Sequence, residues 1–166
     1  MGEMGCMVSI LLFEGQNRNM QTITPFLWYR DHAEQAVEFY LTLFDGEVLD
    51  VSRHPDGSAF VVHWRMEGVE YRAMNGGPHY TLSPAFSLSA EAADQQRLDE
   101  LWDALTADGG EESQCGWLVD RFGLSWQIVP TQLAQLMQGV NGAAVTAVLM
   151  RQTKIVIAEL EAASRA

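Results

Sequence analysis

The stretch SQCGWLVDRFGLSWQIVP, residues 113–130, gathers a thiol, a carboxylate, a guanidinium, an amide and two indoles into one apparent hairpin. Cys115 could serve as a nucleophile only if a basic neighbour, a metal or a helix N-terminus lowered its thiol pKa. Its acidic neighbours in sequence, Glu111 and Glu112, would do the opposite. No Cys–His–Asp arrangement can be inferred from the chain, so Cys115 reads as a structural or half-buried thiol. Asp120 and Gly123 suit a tight turn in which Gly123 takes the positive φ of a bulged hairpin. Asp120 and Arg121 are therefore turn residues before they are an acid–base pair. On the strand that follows, Ser125, Gln127 and Val129 share one face, and Leu124, Trp126 and Ile128 the other. Trp126 reads as core, packed under a helix.

The histidines are the other candidates for chemistry. His32, His54, His63 and His79, with Glu70, could in principle hold a metal, but none stands at HxxxH or HxH spacing. In SAFVVHWRM, His63 and Arg65 project to one strand face while Val62 and Trp64 project to the other. A single strand histidine of this kind is more often solvated or hydrogen-bonded than ligating. His79 follows NGGP and could overhang the mouth of a site.

The elements that must position these groups repeat. TPFLWYR (24–30) has the apolar, aromatic character of a buried strand. In DHAEQAVEFYLTLF, Asp31 and Glu34 have the spacing of a capping box, and Ala33, Ala36, Val37, Tyr40, Leu41 and Phe44 fall on one helical face. Strands follow over 47–54, 58–67 and 69–75, separated by PDG and EG turns. After GGP the order begins again. A strand at 85–91 precedes a helix with Leu98, Leu101, Trp102 and Leu105 on one face. GG at 109–110 stops that helix, and short strands lie around the DRFG turn. Residues 22–131 thus form a single α+β domain of two β-α-β-β-β units, 22–78 and 79–131. Residues 132–166 form a helical tail, expected as two short helices with a break near Arg151–Lys154. Two such units can curve into one cup with the helices outside. Residues 1–21 are expected to be a dispensable extension.

Composition narrows the function classes. The net charge of −12 comes from 22 acidic and 10 basic residues with no basic stripe, which excludes nucleic acid as a natural partner. The apolar run Val8–Phe13 is far shorter than the roughly 20 residues a membrane span needs, so no membrane partner is expected. Two cysteines, Cys6 and Cys115, make no disulfide framework and point to a reduced, cytoplasmic protein.

These residues carry a resemblance. ITPFLWY, AEQAVEFY, NGGP, LWDALT, GGEESQCGWLVDRFGLSWQIVP and TKIVIAELEAA resemble the PhnB-like group, which bears the label 3-demethylubiquinone-9 3-methyltransferase. That group lies within the vicinal-oxygen-chelate superfamily of glyoxalase I, extradiol dioxygenases and bleomycin-resistance proteins. The resemblance runs from about 22 to 163. It implies two β-α-β-β-β modules forming a curved mixed sheet, a small organic ligand and a homodimer. It also implies metal-ligand positions at about Pro25, near Ser83 or Pro84, and at Gln127. Pro and Ser are poor ligands for a divalent ion, so no metal and no cofactor are expected. A methyl donor such as S-adenosylmethionine usually calls for a Gly-rich strand-to-helix turn, and NGGP opens no helix.

If Gln127 keeps the superfamily's inward direction, Ser125 and Val129 also line the cup. The same rule puts Pro25, Leu27 and Tyr29 inward and Phe26 and Trp28 against the helix. The expected lining is Leu27, Tyr29, Ser125, Gln127 and Val129, with Trp117, Cys115 and His79 at its margins; it suits a small, partly aromatic molecule. Three functions follow in order: a metal-independent binding module; a lyase, isomerase or transferase using Tyr29 and Gln127; and a structural or partner-binding protein.

Overall fold

The computed structural model describes residues 23–166, so the extension over 1–21 and Cys6 lie outside the described residues. The first module is β1 (Phe26–Tyr29), α1 (Ala33–Leu43), β2 (Gly46–Arg53), β3 (Ala59–Met66) and β4 (Val69–Asn75). The second is β5 (Ser87–Ala92), α2 (Gln95–Thr106), β6 (Glu111–Glu112), β7 (Trp117–Val119) and β8 (Ser125–Pro130). Each module makes a four-stranded mixed sheet, ordered β1-β4-β3-β2 and β5-β8-β7-β6, whose first and last strands pair in parallel. The expected fold class therefore stands. The tail has three helices rather than two: α3 (Leu133–Gln138), α4 (Gly142–Leu149) and α5 (Ile157–Arg165). The extra break falls at Gly139–Asn141, where Gly142 lies so close to Met137 that a Cβ would meet its carbonyl oxygen at 1.9 Å.

Both module helices bury the faces their periodicity predicts: Ala33, Ala36, Val37 and Tyr40 on α1, and Leu98, Leu101, Trp102 and Leu105 on α2. The start of α1 differs from the capping box. Asp31 turns to the His32 ring at 2.5 Å, and Glu34 pairs with Arg53. The first helical N–H, of Ala33, instead donates to Asn75 Oδ1 at 2.8 Å, from the end of β4. A distant amide does the work of a local cap.

One contiguous core runs through both modules. Trp126 of β8 lies 5.3 Å from the Phe44 ring, stacked, and 5.3 Å from Tyr40, edge-on. The modules therefore meet through their helix-covered sides. Asp120 fastens this junction. It is 2% exposed, yet its Oδ1 accepts the backbone N–H groups of Phe122 and Leu124 at 2.8 and 3.0 Å. Its Oδ2 accepts the Tyr40 hydroxyl at 2.7 Å and the Trp126 indole N–H at 2.8 Å. Four donors on one carboxylate offset the cost of burying it.

This packing reverses the expected facing of β1. Leu27 and Tyr29 are each 2% exposed and join the core, with the Tyr29 hydroxyl 3.1 Å from that of Tyr40 on α1. Phe26 and Trp28 take the opposite face. Strand alternation has period two, so a one-residue error in register moves every side chain to the wrong side.

The tail is strapped to the second module. Cys115 N–H donates to Gln152 O at 2.8 Å and Gly116 N–H to Thr153 O at 2.9 Å, while Ile155 is fully buried. The Gln95 side chain binds Ile155 O and the N–H of Ile157, joining α2 to the same segment. Among the described residues, no helix is long and apolar enough to cross a membrane.

Candidate functional site

The helices and the shared core occupy one face of each sheet, and the residues of the opposite face range from exposed, as Phe26 and Asp50, to buried, as Val61, Met74 and Ser125. On the first sheet, strand pairing aligns three rungs. Trp28, Met74 and Val61 form an apolar rung. Phe26, Arg72, His63 and Asp50 form the middle one, and Glu70, Arg65 and Glu47 the third. Glu70 accepts from Arg65 Nη2 at 3.0 Å and contacts His63 Nε2 at 3.1 Å, and Arg65 Nη1 reaches Glu47 at 2.8 Å. The bonds from Arg65 and then His63 hold the Glu70 carboxyl below its ordinary range, so it is ionised at neutral pH. An ionised carboxylate can only accept, so His63 Nε2 is the donor in this contact. The indole N–H of Trp28 donates to Gly77 O at 3.0 Å, and the Tyr80 ring meets Trp28 edge-on at 5.1 Å. That brings the 75–80 connector onto the apolar rung, and a Cβ at Gly76 would sit 2.3 Å from the Trp28 ring.

The second sheet offers a different surface. Trp117, Gln127 and Ser89 form one rung, Val119, Ser125 and Ser87 another, and Val129 pairs with Glu91. Half-buried Gln127 donates to Ser87 Oγ at 2.9 Å. Ser125 is 1% exposed, and its hydroxyl finds no partner among the described residues.

Of the expected lining, Ser125, Gln127, Val129 and Trp117 come together on this face. Leu27 and Tyr29 do not, because they belong to the core. Burial pushes the Tyr29 phenol well above its ordinary pKa, which removes it as a proton acceptor at neutral pH. Cys115 sits in the loop before β7 at φ 61°, its thiol 3.6 Å from Met150 Sδ beside the tail. His79 is exposed in the connector of the other module. Between the modules lies a cavity of about 450 Å³ walled by Phe44, Met66, Tyr71, Leu88 and Trp126, with Arg97 and Ser87 among its polar groups. None of the expected residues borders it, although Ser87 connects it to Gln127.

The residues present do not fit a divalent ion at the superfamily position. Pro25 and Gln127 supply no ligand set, and among the described residues no three His, Cys, Asp or Glu side chains gather. The strand-to-helix links, Arg30–His32, Ala93–Asp94 and Thr131–Gln132, contain no glycine, so no phosphate-cradling turn is formed.

The family model of 3-demethylubiquinone-9 3-methyltransferase matches residues 21–129. The chain belongs to this family. A putative 3-demethylubiquinone-9 3-methyltransferase, the PhnB protein from Bacillus cereus, superposes with a TM-score of 0.62 at 28% identity, covering 67% of this chain and all of that one. A Pseudomonas aeruginosa protein gives a TM-score of 0.56 at 16% identity over 67% of this chain and 98% of its own. A possible glyoxalase from Bacillus cereus gives 0.50 at 16% identity, covering 66% and 97%. No curated protein matches the chain. The PhnB-like assignment and the vicinal-oxygen-chelate fold are thereby established.

The sequence put His63 and Arg65 on one strand face and offered Glu70 beside the histidines, but it did not bring Glu70 to that pair, and it set Trp28 against the helix, whereas the structure puts it on the face opposite Leu27 and Tyr29. A signal existed. The Glu67–Gly68 turn sets the β3–β4 register, which places Arg65 opposite Glu70 and His63 opposite Arg72.

Proposed function

We propose that this PhnB-like protein is a metal-independent binder of a small organic molecule, seated on the sheet faces that its own helices leave uncovered. A homodimer in which a second copy shelters those faces is part of the reading, as is a cytoplasmic location. One observation carries it. Two sheet faces hold half-buried aromatic and polar side chains, Trp28 and His63 on one and Trp117 and Gln127 on the other, on the side away from the shared core. Such faces, apolar with a few fixed polar groups, suit a small ligand. The negative net charge of the chain favours neutral or cationic molecules at long range.

A thermal-shift screen over a chemically broad panel tests the binding reading. A ligand at 100 times its Kd should stabilise the fold by about 2.7 kcal/mol. A panel without any shift removes the reading. Light scattering at several concentrations tests the pair, and a monomer at every concentration removes the homodimer. A second reading, an enzyme acting on such a molecule, is favoured by the His63–Glu70 pair rather than by Tyr29.

A further inference from the structure

The cavity between the modules is walled on one side by five successive residues of β5, 87–91. Successive strand residues point to opposite faces, so a wall made of all five is the edge of the strand, main chain included. β5 is the outermost strand of its sheet and pairs with β8 alone. Among the described residues, one row of its N–H and C=O groups is therefore without a strand partner. Such an edge is a template for one more strand. Met66, Glu67 and Tyr71 of the first module line the same cavity. The space of about 450 Å³ between them and β5 accepts one extended segment. A second copy would have to bring its sheet and helices in with its own edge strand.

The start of β1 shows which segment is at hand. Pro25 O accepts the Arg72 N–H at 2.9 Å, and the parallel register Phe26↔Arg72, carried back one residue, sets Pro25 beside Tyr71. The chain thus enters β1 alongside a residue that lines the cavity, and Ile23 just before it is 97% exposed. Upstream in the sequence stands VSILLF, residues 8–13, as long as the six-residue β5 and free of proline, glycine and charge. Its composition suits a strand. Residues 14–22 separate it from Ile23. Extended, that link spans about 30 Å, more than the roughly 20 Å of a six-residue strand.

We propose that residues 8–13 pair with the free edge of β5 in the same chain, as a fifth strand of the second sheet lying in the cavity between the modules. The segment's main-chain groups satisfy those of the β5 edge. Its apolar side chains meet the walls formed by Met66, Tyr71 and Leu88, and its neutrality avoids repulsion by Glu67 and Glu91, exposed carboxylates that line the same cavity. The pairing also closes an edge that would otherwise invite association with other chains. It is independent of the small-molecule reading, which concerns the sheet faces.

Hydrogen exchange of the full chain, read by mass spectrometry, tests the pairing. Residues 8–13 and β5 should both be protected. Ile10→Pro removes a main-chain donor from the segment and should speed exchange over 87–92 about tenfold, with β3 left at its wild-type rate. The double substitution Leu11→Asp and Leu12→Asp should do the same, because neighbouring strand residues face opposite ways and one of the two must meet the cavity wall. A photo-reactive phenylalanine analogue in place of Phe13 should cross-link within one chain, to 66–71 or 87–91. Free-peptide exchange over 8–13, or β5 exchange unaltered by both variants, overturns the inference. So does equal acceleration in β3, which would mean general loosening. Cross-links only between chains, with protection lost on dilution, overturn it in favour of a second copy at that edge.

Discussion

The two modules have the same order of elements and the same strand order, yet their open faces share almost nothing. The first carries a charged ladder, Glu47–Arg65–Glu70–His63, beside Arg72 and an apolar rung. The second carries an amide, small hydroxyls and apolar side chains around Gln127, with Glu91 and Glu111 at its margins. Their covered faces are alike in kind: Val62, Trp64 and Ala73 on one, and Leu118, Trp126 and Ile128 on the other, are all essentially buried. The difference teaches that a layered fold constrains only the face it must bury. The other face can diverge in chemistry while the scaffold stays the same.

The largest expected effect comes from cutting the link that makes the modules one body. Asp120→Ala would leave the Trp126 N–H, the Tyr40 hydroxyl and two backbone N–H groups without their acceptor. At about 1–3 kcal/mol for each buried donor left unpaired, the loss should be at least about 3 kcal/mol in urea denaturation. An unchanged midpoint would mean that the modules are held by apolar packing alone.

Gly116→Ala comes next and acts only on the second module. Gly116 has φ +82°, and a Cβ there would lie 2.7 Å from Ile128 O and 2.8 Å from Ile155 Cδ1. A loss of about 1–3 kcal/mol is expected, with faster hydrogen exchange in the tail than in the first sheet. Equal changes in both regions would show that the tail is not a separate strap.

Tyr29→Phe should cost less, about 0.5–1.5 kcal/mol, because it removes one hydroxyl bond and leaves Tyr40 still donating to Asp120. Tyr40→Phe should exceed it, since it breaks both bonds. The reverse order, measured by chemical denaturation, would contradict the chain of donors from β1 to the hairpin.

Lys154→Met should have the smallest effect, below about 1 kcal/mol, since its pairs with Asp99 and Asp103 at 3.0 and 3.4 Å are largely exposed. Asp99 is held below its usual pKa first by the Gln95 amide and then by Lys154. A depressed folded value means this contribution is present at neutral pH and lost as pH falls below about 4, through that lowered value. Lys154→Met should shrink that acid-side slope, and a slope unchanged by the substitution would remove Lys154 from it.

Much of the scaffold was legible because local periodicity encodes it. The apolar spacing on α1 and α2 named the buried residues, and Gly123, at φ +87°, closes the expected turn with its N–H on Asp120 O. Trp126 is buried, as its place on the apolar side of the hairpin strand implies. Features that failed to read out depend on long separations. Asn75 reaches α1 from 42 residues away, and Tyr40 reaches Asp120 across 80. Asp120 resembled an ordinary turn residue because its two side-chain donors lie outside the turn or on the far strand.

The amino-acid order by itself determined the elements, their sequence and the family, since spacing and turn chemistry act over a few residues. Only the tertiary structure decided which face of each strand meets a helix. A two-residue period is symmetric about the strand axis, and nothing short of packing breaks that symmetry. That choice sent Tyr29 into the core, turned Trp28 outward and brought His63, Glu70 and Arg72 onto one open surface.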